Sequence, residues 1–137
     1  MDPSGPDWKR TTSSRVGPWV PVALYCALIF WMSSVSAVPA LPMRVGDKAA
    51  HAAAYACLGF LVTRALAGAA GRRVTARVIV GALAFCALYG LSDEFHQLFV
   101  PLRSFDLRDL AADVAGGGIG LAAWWLWSTL RRSNRGI

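Results

Sequence analysis

The stretch that decides the fold is Leu88–Asp113, L-Y-G-L-S-D-E-F-H-Q-L-F-V-P-L-R-S-F-D-L-R-D-L-A-A-D. It holds five of the chain's eight carboxylates, Asp93, Glu94, Asp106, Asp109 and Asp113, and lies between two long apolar runs. If those runs cross a membrane, charge at their ends is costly unless each group finds a partner, water or an ion. Ionisable groups in such a place are candidates for function.

The composition supports a membrane setting. A chain of 137 residues has room for one domain, and 55% hydrophobic with 16% charged residues is too apolar for a soluble domain of this size. The net charge of +6 does not point to nucleic acid, because the basic residues form short clusters between apolar runs rather than a face with polar or aromatic readers. Cys26, Cys57 and Cys86 fall in three different apolar runs without metal-ligand or C-x-x-C spacing, and read as small packing residues that stay reduced.

Outward from the central stretch, the chain reads as four spans. Residues 1–18 are polar, rich in proline and glycine, and predict a disordered cytoplasmic tail. Trp19–Ala37 is an uncharged run of 19 residues, about 28 Å of helix and close to the hydrocarbon thickness. With its basic flank and small residues Ser34, Ser36 and Ala37 it also fits a cleavable signal peptide, although its apolar run exceeds the usual length. Three more spans follow in either case. A connector with two prolines leads to Asp47, placed to cap a second span over Lys48–Leu66. Asp47, His51 and Tyr55 recur every four residues and share one helical face.

After the basic turn at Arg72 and Arg73, a third span takes Ala76 to about Ser92 and runs into D-E-F-H-Q, where Asp93 and Gln97 share a face and His96 points elsewhere. Phe99–Phe105, with aromatic and aliphatic residues around Pro101 and Arg103, suits the headgroup region. A fourth span begins near Asp106; Asp109 and Asp113 line one face, and Ala112, Gly116 and Gly120 repeat at small-x-x-x-small spacing, which serves close packing in the bundle or in a dimer. Trp124, Trp125 and Trp127 mark the far interface before the basic tail 131–137. The expected architecture is therefore an all-α, polytopic, four-transmembrane-helix bundle over residues 19–130.

Basic residues divide 10 to 4 between the two sides of these spans, so the positive-inside rule predicts cytoplasmic termini. The opposite side then carries a balance of −2 against +8. It brings together Asp47, His51 and Tyr55, then Asp93, Glu94 and Gln97, then Asp109 and Asp113, with Lys48, Arg103 and Arg108 as counter-charge. Two chemistries fit. A divalent cation takes carboxylate and imidazole ligands, Mg²⁺ and Ca²⁺ preferring several carboxylates; Asp47, His51, Glu94, Asp109 and Asp113 are the candidates. A carboxylate beside His51 could instead serve as an acid–base pair on a headgroup held by arginine, with His51, Asp93, Glu94 and Asp109 as candidate catalytic groups. Set against both, acids at helix starts also cap N–H groups and favour the helix dipole, which would account for Asp47, Asp106 and Asp109 without any site. That explanation fails for Asp113, a turn deeper, and for Asp93 and Glu94 at a helix C-terminal end.

The segments D-K-A-A-H-A-A-A-Y-A-C-L-G (Asp47–Gly59) and S-D-E-F-H-Q-L-F-V-P-L-R-S-F-D-L-R-D-L-A-A-D-V-A-G (Ser92–Gly116), with S-S-V-S at the end of the first span, resemble the VanZ-like family of small bacterial membrane proteins. Asp47, Lys48, His51, Tyr55, Asp93, Glu94, Gln97, Arg103 and Asp109 each match a family position; Asp113 departs from it, standing where the family typically has Asn. The resemblance implies a bacterial cytoplasmic membrane, a role at the cell envelope and an association with tolerance to the lipoglycopeptide teicoplanin. A lipid-linked envelope molecule is then the expected ligand, held by Asp47, Lys48, His51, Tyr55, Gln97, Arg103 and Asp113. The alternatives are a metal-assisted hydrolase of a phosphorylated lipid and a non-catalytic structural or partner-binding protein.

Overall fold

Each apolar run forms one helix. The computed structural model describes residues 16–35, 44–69 and 73–134, excluding the side chains of 44–47 and 69. A 3₁₀ turn, Gly17–Trp19, opens into α1 (Val20–Ser34), followed by α2 (Arg44–Ala69), α3 (Ala76–Gln97) and α4 (Leu107–Ser133). Among the described residues there is no strand. Residues 1–15 of the predicted 1–18 tail lie outside the described residues, as do Ser36 and Ala37 at the end of the predicted first span; the rest of that tail is corrected, since Gly17 and Pro18 belong to the 3₁₀ turn, where proline's fixed φ suits a helix start.

The helix ends follow local chemistry. α1 stops where the Ser34 hydroxyl donates back to the Phe30 carbonyl at 2.7 Å and Val35 turns extended. Thr75 caps α3, its hydroxyl accepting from the Val78 N–H at 3.4 Å. Asp106 caps α4, its carboxylate accepting from the Arg108 N–H at 2.8 Å. One sequence expectation about helix ends is corrected and another holds. α2 starts at Arg44, so Asp47 sits inside its first turn rather than at the cap. α3 runs on past Ser92 through Gln97, as the shared face of Asp93 and Gln97 requires, and Asp93, Glu94 and Gln97 are buried within the bundle rather than released to solvent.

Three segments, Gly17–Ser34, Lys48–Gly68 and Ala76–Gln97, are long and apolar enough to cross a membrane. α4 has 27 residues, about 40 Å of helix. Its uncharged part, 114–130, is 17 residues long, at the lower bound of about 17 for a span. Its two preceding acids, Asp109 and Asp113, are buried against other helices instead of facing lipid. Many large apolar side chains, including Leu24, Trp31, Val80, Leu88 and Ile119, are exposed, as an acyl-chain solvent requires.

α2 and α4 lie side by side and run parallel. Gly116 rests on the backbone of Ala52, Gly120 on that of Ala56 and Phe60, and Gly59 on that of Gly117. One turn further, Phe60 meets Trp124 edge-on, with ring centroids 5.3 Å apart. The stripe of small residues on α4 is thus used inside the bundle. α3 runs antiparallel to both, Cys86 facing Gly117 and Gly90 facing Asp113. Tyr55, Leu58, Val62, Ala82 and Cys86 fill the space between them. α1 packs from outside, held by the Tyr89 hydroxyl donating to the Cys26 carbonyl at 2.6 Å and by Phe30 stacked at 4.3 Å on His96.

Candidate functional site

At the end of the bundle where α2 and α4 begin and α3 ends, the polar side chains gather in two adjoining places. The first is the junction of α2, α3 and α4. Lys48 Nζ lies 2.6 Å from Asp109 Oδ1 and 3.3 Å from Asp106 Oδ2. One turn deeper, His51 Nδ1 meets Asp113 Oδ1 at 2.9 Å. Glu94 comes from α3 and is wholly buried; its Oε2 accepts from the Asp106 N–H at 2.8 Å, while Oε1 is buried without a partner. One ligand atom each from His51, Glu94 and Asp109 lie within 4.8 Å of one another.

Small residues make this junction possible. A Cβ on Gly90 would stand 2.9 Å from Asp113 Oδ2, so the absence of a side chain there admits the carboxylate. Asp113 is fully buried and its Oδ2 has no hydrogen-bond partner. At the outer edge, Asp106 is half-exposed, and the Arg108 N–H, with the Lys48 ammonium after it, holds its carboxyl below the usual range.

The second place is a cavity of about 150 Å³ between α1, α2, α3 and the loop before α4. Ile29, Met32, Ala50 and Ala54 supply its apolar wall, and Ser33, His51, Tyr55, Asp93, Gln97 and Arg103 its polar wall. Ser33 Oγ, Tyr55 Oη, Asp93 Oδ1 and Arg103 Nε are buried without partners. Gln97 donates to Asp93 Oδ2 at 3.3 Å. Arg103 reaches the wall through a tight turn in which its N–H donates to the Val100 carbonyl at 3.2 Å. Within that turn Leu102 has φ 66°, a left-handed conformation that usually falls to glycine. Strain of this kind, about 1–2 kcal/mol, persists where surrounding structure imposes it.

Lys48, His51, Glu94, Asp109 and Asp113 therefore meet at the junction, and Tyr55, Asp93, Gln97 and Arg103 around the cavity, with His51 bordering both. The Asp47 side chain lies outside the described residues. Among the described residues no carboxylate is within ion-pair distance of Arg103 or Arg108. His96 stands apart from the junction, its Nε2 3.0 Å from Ser34 Oγ. Ile29, Met32 and Ser33 on α1 were not anticipated as part of the site. The signal for Ser33 was the S-S-V-S run at the end of an otherwise apolar segment.

Fold and site define a class: a polytopic helical membrane protein whose buried carboxylates and histidine converge at one end of the bundle beside an amphiphilic cavity. The chain belongs to the VanZ/LLP1 family, whose model matches residues 9–128. It is also similar to an uncharacterized protein of the fission yeast Schizosaccharomyces pombe, 31% identical over 101 residues, which cover 73% of this chain and 59% of that protein. The chain thus matches under two thirds of the relative's length. No solved structure gives a significant match.

Proposed function

We propose that the protein binds, and acts on, an amphiphilic component of the cell envelope at this end of the bundle. One observation carries the reading. The cavity joins an apolar wall to four buried polar atoms without partners, Ser33 Oγ, Tyr55 Oη, Asp93 Oδ1 and Arg103 Nε. Empty apolar cavities persist in proteins, but buried polar atoms need partners, and a headgroup supplies them. Arg103 suits an anionic group, and the hydroxyls and Asp93 suit donors and acceptors beside it. Peripheral α1 forms part of the wall through Ile29, Met32 and Ser33, which suits lateral entry from the bilayer. In this reading the 10-to-4 division of basic residues sets the site on the outer face with both termini cytoplasmic, and the bacterial cytoplasmic membrane and the role in teicoplanin tolerance are what the resemblance implies.

Native mass spectrometry of the full chain from mild detergent tests this directly. An anionic lipid is expected to remain on the wild type. Arg103→Gln is expected to lose it about tenfold or more, the weight of a charge-assisted buried hydrogen bond. Equal occupancy in the two proteins would sink the reading. In a glycopeptide-susceptible host, Glu94→Gln and Asp109→Asn are each expected to abolish any tolerance conferred by the wild type at unchanged membrane levels; tolerance intact in both removes the envelope role.

A second reading, metal-assisted hydrolysis of a phosphorylated lipid, is favoured by the proximity of His51, Glu94 and Asp109. There the cation would polarise the phosphoryl group and activate water.

A further inference from the structure

We infer that His51, Glu94 and Asp109 form a binding site for one divalent transition-metal ion of the Zn²⁺ or Mn²⁺ class, with Lys48 as the built-in competitor for it. This goes beyond lipid binding and does not depend on it, nor on any hydrolysis. Each of the three residues comes from a different helix, and their ligand atoms lie within 4.8 Å of one another. Metal–ligand distances of about 2.0–2.2 Å place neighbouring ligand atoms about 3–4 Å apart, so closure by about an ångström completes the set. A cluster of acids alone would not suffice for the assignment, but three further features point the same way.

First, the histidine is backed as a metal ligand is backed. Its Nδ1 is 2.9 Å from Asp113 Oδ1, and a carboxylate accepting one ring N–H fixes the tautomer that coordinates through the other nitrogen. Second, Glu94 is wholly buried, fixed through Oε2 by the Asp106 N–H and left with Oε1 unpartnered. A buried carboxylate oxygen without a donor is costly unless a proton or cation meets it. Third, the charge is out of balance among the described side chains. Glu94, Asp106, Asp109 and Asp113 bring four carboxyl groups to the junction, against the Lys48 ammonium and the His51 imidazole. A divalent ion offsets part of that excess.

The donor set selects the class of ion. One imidazole with two carboxylates suits Zn²⁺ or Mn²⁺, whereas Ca²⁺ takes six to eight oxygens and has little use for an imidazole. Three protein ligands leave further positions open, as in catalytic rather than structural zinc sites. Lys48 gives the site its distinctive test. Its ammonium is 2.6 Å from Asp109 Oδ1 and its side chain is 35% exposed, so it can withdraw to the surface when an ion arrives. It neutralises the ligand in the ion's absence and must be displaced for full coordination.

The experiment is calorimetric titration of chelator-stripped, detergent-purified full-length protein with Zn²⁺ and, separately, Mn²⁺. One ion per chain is expected. Glu94→Gln and Asp109→Asn are each expected to weaken binding at least about tenfold. Lys48→Met is expected to tighten it, up to about fivefold for release of a partly exposed ion pair; a residue that merely stapled the helices would not give that gain. Absence of saturable binding of both ions to the wild type overturns the inference, and so does undiminished binding in the two acid variants. A preference for Ca²⁺ over both ions overturns the assigned class. Should either acid variant fail to fold by circular dichroism, Lys48→Met decides, an unchanged or weakened affinity counting against the site.

Discussion

Alanine at Gly116 or Gly120 is expected to unseat the bundle, whereas alanine at Gly118 is expected to strengthen it. The three positions lie within five residues of one helix and differ only in what a Cβ would meet. At Gly116 it would run into the Ala52 carbonyl oxygen, with the Ala52 carbonyl carbon at 2.9 Å and Cα at 3.0 Å. At Gly120 it would run into the Ala56 carbonyl oxygen and stand 2.6 Å from the Phe60 nitrogen. Both obstacles are backbone and cannot rotate away, so α2 and α4 must separate, at a cost upwards of about 3 kcal/mol. At Gly118 the nearest atom is Leu83 Cδ2 at 3.9 Å, an ordinary contact. There alanine gains only its better helix propensity, about 1 kcal/mol. Thermal melts in detergent should move in opposite directions. Equal melting of all three variants would refute the parallel α2–α4 register, and a shift from dimer to monomer in Gly116→Ala would return the stripe to an intermolecular role.

The spans were legible because the bilayer constrains composition so strongly: an uncharged run long enough to cross has few other uses. The small-residue stripe on α4 showed that a helix packs there, but not which one. The choice between partner and dimer depends on the facing residues, and Ala52, Ala56 and Gly59 become recognisable as the complement only once α2 is laid alongside. Helix ends were less legible. Asp47 looks like a cap because capping is a local rule, yet the helix already begins at Arg44. The helical spacing of Asp93 and Gln97 was legible, but their burial was not, because charge alone suggests water.

Helical spacing placed the acids on shared faces, and the packing of three helices brings His51, Glu94 and Asp109 together. Spacing could not separate the junction from the cavity. Asp93 and Glu94 are adjacent in sequence, and the helix turns them to different sides, the first toward α1 and Arg103, the second toward α4. The part played by α1 was hidden for a different reason: Ile29 and Met32 look like any lipid-facing pair until the cavity behind them is seen.

The double replacement His51→Leu with Asp113→Leu is expected to leave the protein as stable as the wild type or more so, while ending its capacity to hold ligand. Leucine has the branching of aspartate, so Oδ1 and Oδ2 are replaced by methyls of similar placement in the space that Gly90 leaves open. The native pair is a buried one, Asp113 fully and the His51 side chain 12% exposed, with Asp113 Oδ2 lacking any hydrogen bond. Exchanging such a pair for apolar groups is typically neutral or stabilising, by about 1–4 kcal/mol. Removing Asp113 alone should instead be harmful, because it strips His51 of its acceptor. The sign of the double variant discriminates between two accounts of the acids. If they were an internal scaffold that fixes α2 against α4, as the Lys48–Asp109 contact alone would suggest, their joint loss should lower the melting temperature. If the fold tolerates them for what they bind, the melting temperature should hold or rise while lipid occupancy and metal binding disappear. A clear fall in stability with ligand retained would return these residues to a structural role.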